Sequence, residues 1–590
     1  MKSQEVIHWL EQGRGARWVL RVALLVGALA LTAVYSWRQF HGLSSEFTLH
    51  QAVLARQVAR GDGFTTLVNH PQTFAVLHAR GQPFRTAEPF AELHHAPLYA
   101  LTLAAVYALL PDSVWTSRPA APGGMSWDGW LPDYVALGVN LALWWLAVAL
   151  AGRLARRLFD ARAGWVAALA TAGSVPLWQQ TVAVNGLPLF MVLVLLAFHV
   201  LAGLEDAAEG GGRGLLARAA VLGALGGLLF LAEYSAGLAM VVFVGAVGWR
   251  VRGAARGPAL AACLGGFALV VAPWLVRNAA VCGHPLGLAW QSLALKAGDP
   301  TAEPAVFRAT LSAEAPGLDV KKLGNKGLTG LELNLKERLW SGGGLLLTAF
   351  FVAGLMYQFR HAPANRVRWI FGALLLLLLA GQPFLSSGES PRLPAYYLAP
   401  LVIVFGTGFF FVLVDSQPRL ADHWRWAAAA LLMLQGLPLV RDSLEPKKIH
   451  FHFPPYYPAL FMELGRDART RFMPDTGLSS DVPAGTAWYG DLRVWDKPHR
   501  FRDFQAVMVQ QNIGALLLTP VTLDRPFFTE LAARGEDAIR LTDTGGWGGV
   551  YSGLVTRTMP RNFPLNLPPQ RLTENMVLLV NPSALRPRGN

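Results

Sequence analysis

The sequence is dominated by long apolar runs that alternate with short basic or polar segments. A helix that crosses a bilayer needs about 20 predominantly apolar residues, and eleven runs come close to that length. An isolated helix this apolar is stable only in lipid or in a protein core. The runs therefore predict membrane spans at about residues 18–36, 133–152, 163–180, 187–204, 216–232, 235–249, 258–275, 343–358, 369–386, 396–415 and 426–441.

Arginine clusters between the runs predict which loops face the cytoplasm, because positive charge is retained on that side. If all of them are cytoplasmic, the N-terminus lies inside, the C-terminus lies outside, and residues 37–132 form an outer loop. An apolar run at 97–111 then cannot be a single crossing, so we interpret it as an interfacial or re-entrant helix. The clusters are Arg14/Arg17, Arg153/Arg156/Arg157/Arg162, Arg213/Arg218, Arg250/Arg252/Arg256, Arg360/Arg366/Arg368 and Arg419/Arg425.

The pattern changes near residue 442, where the long apolar runs end. We predict a membrane domain over residues 1–442 and a small soluble α/β domain over residues 443–590, outside the membrane. Within the second domain the pattern predicts a strand at Thr486–Tyr489, a helix at Asp503–Asn512 and a strand at Ala515–Thr519. The predicted fold class is a polytopic α-helical membrane protein of about eleven spans with a small C-terminal α/β domain.

Composition supports a membrane protein and excludes other classes. Of 590 residues 53% are hydrophobic and only 15% are charged, with a mean hydropathy of +0.34. The net charge of +13 arises from the loop clusters, so we predict no nucleic-acid partner. Cys263 and Cys282 lie in or beside one apolar run, and two such cysteines define neither a disulfide framework nor a metal-thiolate site.

Glu46 is the leading candidate for chemistry. It opens an amphipathic segment that ends at Gly61, where the first span meets water. An ionisable group at a membrane boundary is costly unless it faces a polar cavity, which favours a functional role. The alternative is that Glu46 belongs to the cap of the helix, since Ser44, Ser45 and Glu46 all suit a helix N-terminus.

Other polar residues occur at predicted outer boundaries. His94 and His95 could contact a phosphate or a metal, or could simply be interfacial histidines before Pro97. Arg277, followed by Asn278, departs from the positive-inside pattern, and its planar fork suits a phosphate. The alternative for Arg277 is a side chain that extends to the lipid headgroups.

Three further outer turns contribute candidates. Arg392 lies at another outer boundary, so two arginines share one face and could clamp a phosphate. Asn185 and Glu233 occupy the remaining two turns as secondary candidates, and we rank Glu233 below Glu46.

Four motifs in order resemble the GT-C glycosyltransferases, especially the branch of bacterial protein O-mannosyltransferase-like and aminoarabinose-transferase-like enzymes. The resemblance covers about residues 18–415. The motifs are the acid and helix from Glu46 to Gly61, the return His95-Ala96-Pro97-Leu98-Tyr99, the segment Pro273-Trp274-Leu275-Val276-Arg277-Asn278 with Gly283, and the late opening with Arg392, Tyr396 and Pro400.

The resemblance implies an inverting transfer of a sugar from a polyprenyl-phosphate donor to an acceptor outside the cytoplasm, which is a protein, a lipid or an envelope glycan. Glu46 would be the catalytic base, and Arg277, Arg392 and Tyr396 would bind the donor phosphate. The implied location is the bacterial inner membrane, in contact with membrane lipid. No cofactor is certain, and a divalent cation, Mg²⁺ or Mn²⁺, is the candidate.

This sequence departs from the family pattern at three places. Glu46 stands where the family usually has Asp, Phe47 stands where it has a second acid, and the Asn185 turn lacks the acid that often binds a metal or the acceptor. One alternative is therefore a GT-C-like assembly or binding protein without activity. A transporter of lipid or sugar is a further alternative, although its spans would carry more polar residues than these do.

Overall fold

The computed structural model describes residues 14–43, 45–82, 88–117, 130–209, 214–294, 308–314, 319–385, 393–445, 458–523, 547–559, 563–565, 570–573 and 576–587. Among the described residues up to 294, helices predominate and three short strands occur. The strands are β1 (Thr65–Thr66), β2 (Val68–Asn69) and β3 (Phe90–Ala91). The helices are α1 (Arg14–Gln39), α2 (Glu46–Arg60), α3 (Pro71–Ala79), α4 (Leu98–Tyr107), α5 (Asp112–Trp115), α6 (Leu131–Leu158), α7 (Ala161–Ala172), α8 (Val175–Val182), α9 (Leu187–Glu209), α10 (Leu215–Ala232), α11 (Ala239–Arg250) and α12 (Arg256–Cys282).

Helices continue to residue 444, and an α/β region follows. The helices are α13 (Val320–Leu333), α14 (Leu339–Gly343), α15 (Leu345–Leu355), α16 (Ala362–Leu385), α17 (Pro394–Tyr397), α18 (Ala399–Ser416), α19 (Pro418–Asp422) and α20 (Trp424–Leu444). The α/β region contains α21 (Pro458–Arg471), β4 (Gly477–Ser480), α22 (Pro483–Gly490), β5 (Val494–Asp496), α23 (Phe501–Gln510), β6 (Ile513–Leu518), α24 (Pro520–Leu523), α25 (Trp547–Thr556), β7 (Gln570–Thr573) and β8 (Met576–Val580).

The chain is a polytopic α-helical membrane protein with a C-terminal α/β region, as predicted. In the part of the chain that the structure describes, eight helices are long and apolar enough to cross a membrane, or nine if one pair bent by 108° forms a single span. These eight coincide with eight of the eleven predicted spans. They are α1, α6, α9, α10, α12, α16, α18 and α20.

The other three predicted spans are helical but interrupted or short. The run at 163–180 is divided into α7 and α8 at Gly173–Ser174, the run at 235–249 begins with a 3-10 turn, and the run at 343–358 bends sharply before α15. Average hydropathy alone does not reveal such breaks, because apolar residues predominate on both sides of them. The run at 97–111 forms only the ten-residue α4, which is too short to cross a bilayer.

Ion pairs show that several arginine-bearing helix ends meet at one end of the bundle. The buried carboxylate of Glu205, near the end of α9, pairs with Arg250 at 2.6 Å and with Arg366 at 2.5 Å. Arg162, at the start of α7, pairs with Asp415 at 2.9 Å near the end of α18. The helix ends that carry the predicted cytoplasmic charge therefore share one face of the molecule.

The α/β region contains a six-stranded sheet of order β2-β5-β4-β6-β8-β7. The first four strands are parallel, β8 is antiparallel to its neighbour β6, and β7 is antiparallel to β8, so β8 alone runs against the other five. The edge strand β2 comes from the outer loop near residue 68, because Val68 pairs with Val494 and Asn69 with Trp495. The loop and the C-terminal region therefore share one sheet.

Within the α/β region two of the three predicted elements are confirmed and one is wrong. The helix predicted at 503–512 is α23, and the strand predicted at 515–519 is β6. The segment Thr486–Tyr489, predicted as a strand, lies in the helix α22. Pro483 begins this helix and Gly490 ends it, and so short an apolar run has no periodicity that separates strand from helix.

Arg56 holds α2 against the C-terminal region. Its side chain is 1% exposed and donates to the carbonyl oxygens of Trp488 and Ala487, both at 2.8 Å, and pairs with Asp491 at 3.2 Å. Burial lowers the pKa of Arg56 to about 10, so the guanidinium remains charged at neutral pH. Arg60, one turn further on, binds the same carboxylate from an exposed position.

We expect Arg56→Ala to destabilise the protein much more than Arg60→Ala. Removal of Arg56 leaves two buried carbonyl groups without their donors and should cost about 3–5 kcal/mol, whereas an exposed pair is worth about 0–1 kcal/mol. Thermal unfolding of the purified protein in detergent measures the difference. Equal melting temperatures for the two variants would show that the buried contact does not hold the two parts together.

Candidate active site

Helix α2 begins at Glu46, and its cap is Ser45. The Ser45 hydroxyl accepts a hydrogen bond from the backbone N–H of Thr48 at 3.1 Å, which satisfies one of the N–H groups left over at a helix start. The helix ends at Gly61, whose φ of 87° lies in the left-handed region that favours glycine. The carboxylate of Glu46 is therefore not needed to cap its own helix.

The carboxylate of Glu46 contacts the C-terminal region. Its Oε2 accepts a hydrogen bond at 3.1 Å from the backbone N–H of Ala484, in the first turn of α22. The N-terminus of a helix carries partial positive charge and stabilises an anion. The half-buried Glu46 therefore lies where α2 meets α22, with one oxygen held by a backbone N–H group.

A buried carboxylate, Glu92, organises three histidine residues close to this helix. Its Oε2 lies 2.7 Å from His50 Nε2, one turn after Glu46 on α2. Its Oε1 lies 3.0 Å from His95 Nδ1 and accepts hydrogen bonds from the backbone N–H groups of His94 at 2.6 Å and His95 at 2.9 Å. The Phe47 ring contacts the His95 ring, with centroids 5.7 Å apart.

Two more side-chain contacts extend the cluster. His94 Nε2 bonds with the Thr73 hydroxyl at 3.0 Å on α3. His70 Nδ1 lies 3.1 Å from Asp496 Oδ2 at the end of β5, and the rings of His50 and His70 stack at 5.6 Å. The cluster thus joins the outer loop to the C-terminal sheet.

Burial and mutual charge set the ionisation of these groups. Burial alone raises the pKa of Glu92, but His95 and His50 outweigh it and hold that pKa well below the usual range. Burial lowers the pKa of His95 to about 3 and that of His94 well below its ordinary value. Burial raises the pKa of Asp496 to about 7.

Arg277 reaches the same cluster from α12. Its Nη1 donates to the backbone oxygen of Glu92 at 2.6 Å and to Asn278 Oδ1 at 2.9 Å, and its Nη2 donates to the backbone oxygen of Phe64 at 3.0 Å. The guanidinium also lies over the Trp274 ring, 5.0 Å from its centroid. Among the described residues, these bonds leave one Nη2 hydrogen and the Nε hydrogen of Arg277 for a ligand.

Asn278 and Asn185 form hydrogen bonds with backbone groups. Asn278 is fully buried and donates to the backbone oxygen of Pro285 at 3.2 Å. Asn185 accepts from the Leu187 N–H at 3.1 Å at the start of α9. The turn that holds Asn185 adjoins α2, because the Thr48 hydroxyl donates to the Ala183 oxygen at 3.4 Å.

Glu233 and Tyr396 form hydrogen bonds with residues outside the histidine cluster. Glu233 Oε1 accepts from the Ser235 hydroxyl at 2.7 Å and from the Gln382 amide at 3.0 Å. The half-buried Tyr396 has its hydroxyl 3.4 Å from Ser341. Arg392 lies outside the described residues. Of the predicted site residues, His94, His95 and Arg277 contact Glu92 directly, and Asn278 contacts Arg277. Glu46 begins α2 and contacts α22, and the turn that holds Asn185 adjoins α2 through Ala183.

Comparisons with known proteins clarify the fold. A scan against protein-family models and a search of curated proteins find no match. The solved apo structure of the Archaeoglobus fulgidus oligosaccharyltransferase is similar with a TM-score of 0.53 at 13% identity, over 90% of this chain and 72% of that one. ArnT from Cupriavidus metallidurans, in the apo state, is similar with a TM-score of 0.51 at 13% identity, over 96% of this chain and 100% of that one.

A second structure of ArnT, bound to undecaprenyl phosphate, has a TM-score of 0.52 at 12% identity and covers 96% of this chain and 99% of that one. The fold is that of the GT-C glycosyltransferases. This likeness extends over nearly the whole chain, including the C-terminal region. Glu46, the histidine cluster and Arg277 therefore belong to a GT-C fold.

The sequence analysis did not identify four residues of this site: His50, Glu92, His70 and Asp496. One signal was present, since six of the fourteen histidines fall between residues 37 and 132. Glu92 precedes the two histidines that were identified, but a single acid two residues away does not indicate which side chains it will contact. Asp496 comes from a strand 426 residues away from His70.

Three of these residues in the GT-C fold form a group that could hold a metal ion. Ligand atoms of His50, Glu92 and His95 all lie within 4.8 Å of one another, and all three side chains are buried. The donors are two imidazole nitrogens and one carboxylate oxygen. Mg²⁺ prefers an all-oxygen shell and Mn²⁺ is suited to oxygen ligands, so this donor set does not match the ions that were predicted.

We expect Arg277→Ala to lower the thermal stability of the protein even without any ligand. The change removes two charge-assisted hydrogen bonds to the carbonyl oxygens of Glu92 and Phe64, at a cost of about 2 kcal/mol or more. Arg256→Ala, at the exposed start of the same helix, is the control and should leave the melting temperature unchanged. A melting temperature for Arg277→Ala equal to that of the wild type would mean that these contacts contribute nothing to stability.

Proposed function

We propose that the protein transfers a sugar from a polyprenyl-phosphate donor to an acceptor outside the cytoplasm, with inversion at the anomeric carbon. The observation that carries this proposal is the GT-C fold over nearly the whole chain. The similar ArnT structure is bound to undecaprenyl phosphate, a lipid phosphate of the donor class proposed here. The proposal covers a protein, a lipid or an envelope glycan as the acceptor.

In the proposed reaction Glu46 is the general base. The acceptor oxygen or nitrogen forms a bond to the anomeric carbon, its proton passes to the Glu46 carboxylate, and the bond from that carbon to the phosphate oxygen breaks. Oε2 is anchored by the Ala484 N–H, which orients the carboxylate. A positioned base of this kind contributes about 10²–10⁴ in rate.

Arg277 is the proposed ligand of the departing phosphate. Its fork already binds backbone oxygens of Glu92 and Phe64, so its position is fixed before the substrate arrives. The Nη2 and Nε hydrogens that remain among the described residues suit one phosphate oxygen each. Arg392 and Tyr396 are proposed to bind the same phosphate, by the resemblance described above.

The proposed location is the bacterial inner membrane, with the N-terminus in the cytoplasm and residues 443–590 as an extracytoplasmic domain. The arginine-bearing helix ends that meet around Glu205 support a common cytoplasmic face. A requirement for Mg²⁺ or Mn²⁺ stays a prediction. No transfer step described here depends on a metal.

A second candidate function is a GT-C-like protein that binds a partner and has no transferase activity. Two contacts favour it. Glu46 accepts a hydrogen bond from a backbone N–H of the C-terminal region, and Arg277 donates to two backbone oxygens. Both side chains therefore make contacts within the protein that do not require a substrate.

Glu46→Gln tests the proposed base, because an amide oxygen can still accept from the Ala484 N–H but cannot take a proton. We expect transfer from a polyprenyl-phosphate sugar, measured in liposomes with labelled donor, to fall by about 100-fold or more. Asp62→Asn, which neutralises an acid at the opposite end of α2, is the matched control and should retain wild-type turnover. Unchanged turnover in Glu46→Gln would exclude Glu46 as the base.

Binding of the lipid phosphate separates the two candidate functions. We expect wild-type protein to bind undecaprenyl phosphate in native mass spectrometry in preference to phosphatidylglycerol, and Arg277→Lys to bind it less well, because lysine lacks the planar fork. Equal binding of the two lipids by wild-type protein, together with no transfer, would favour the partner-binding function.

A further inference from the structure

We infer that His50, Glu92 and His95 form a binding site for one zinc ion next to the first turn of α2. This inference does not depend on the transferase proposal. It rests on the geometry of three buried side chains and on the chemistry of their donor atoms. None of these three residues has a role in the proton transfer or in phosphate binding described above.

The three donors converge from two segments of the chain. His50 comes from α2, while Glu92 and His95 come from the short return between β3 and α4. His50 Nε2 lies 2.7 Å and His95 Nδ1 lies 3.0 Å from different oxygens of Glu92. Two tetrahedral zinc ligands at 2.0–2.1 Å from the ion lie about 3.3 Å apart, and the ligand atoms of these three residues all lie within 4.8 Å of one another.

The donor set is one that zinc uses. Two imidazoles and one carboxylate bind zinc in sites that keep a fourth position for water or another ligand. Nickel and copper also accept imidazole ligands, whereas magnesium and calcium require oxygen ligands. The chemistry of the cluster therefore favours zinc among the abundant divalent ions over magnesium or calcium.

The surroundings orient the ligands in advance. The backbone N–H groups of His94 and His95 hold Glu92 Oε1, and Arg277 holds the backbone oxygen of Glu92. Hydrogen bonds from outside the ligand shell are a regular feature of metal sites, because they fix the orientation of the ligands. An ion bound here would link His50, near the start of α2, to the segment that contains Glu92 and His95. Arg277 holds that segment through a hydrogen bond to the backbone oxygen of Glu92.

Metal binding requires a ring nitrogen without a proton. The nitrogens that face Glu92 are Nε2 of His50 and Nδ1 of His95. A proton displaced from either of them can reside on the other nitrogen of the same ring. For His95 that nitrogen is Nε2, which lies 3.5 Å from Arg308 Nη1.

Arg308 therefore opposes the ion through both its charge and its N–H donor. The effect of replacing Arg308 on zinc affinity therefore distinguishes a zinc site from a cluster that is held together only by hydrogen bonds. If a zinc ion binds, Arg308→Gln should increase zinc affinity several-fold. If the three residues only hydrogen-bond to one another, the substitution should leave zinc uptake unchanged.

The experiment uses the full chain, purified in detergent, stripped with a strong chelator and titrated with ZnCl₂ alone. We expect one zinc per chain by elemental analysis, a higher melting temperature when zinc is present, and loss of both effects in His50→Gln and His95→Gln. His78→Gln alters an exposed histidine of the same loop and should behave as wild type.

Wild-type protein that is folded and takes up no more zinc than the two ligand variants would overturn the inference, and so would an unchanged affinity in Arg308→Gln. If a ligand variant fails to fold, the wild-type stoichiometry and the Arg308→Gln titration still decide the question. None of these measurements uses a sugar donor. Failure of zinc binding is therefore distinguishable from failure of the transferase proposal.

Discussion

The packing of α2 between the membrane helices and the C-terminal region is the contact on which the site depends. This helix is buried from Thr48 to Gln57 although many of its side chains are polar. Burial of polar groups is costly unless each finds a partner, and partners arrive from both sides. Arg56 binds carbonyl oxygens of α22, while His50 binds Glu92 of the outer loop.

The same helix connects the residues that are proposed to act in function. Glu46, at its start, reaches the N-terminus of α22, and His50, one turn later, reaches the histidine cluster. Arg277 meets that cluster through the backbone of Glu92. A displacement of α2 would therefore disturb the proposed base and the ligands of the inferred zinc ion together. The outer-loop strand β2 further limits such movement, because it forms an edge of the C-terminal sheet.

Structural and chemical roles overlap at Glu46 and Arg277. Each has a backbone partner in the structure, and each is proposed to act on substrate. The overlap is physically reasonable, because a catalytic group is most effective when its neighbours have already fixed its position. It also explains why substitutions that retain hydrogen-bonding shape, such as Glu46→Gln, are more informative than truncation to alanine.

The sequence by itself determined the membrane class and much of the helix order. In a bilayer, runs of about 20 apolar residues form helices, because the backbone N–H and C=O groups then find their hydrogen-bond partners within the same segment. The sequence also placed Glu46, His94, His95 and Arg277 at predicted outer boundaries, and the last three of these residues meet around Glu92 in the structure. Breaks such as that at Gly173–Ser174 were missed, because hydrophobicity is the same on both sides of a break.

Only the tertiary structure decided which of these side chains meet. Glu92 bonds to His50 across 42 residues, and Asp496 reaches His70 across 426. Such contacts depend on where the chain returns after folding, and no local spacing encodes that. The strand β2 shows the same limit, because two residues of an outer loop become part of a sheet only when β5 lies beside them. Local pattern decides helices and boundaries, whereas the chemistry of a site depends on contacts between distant segments.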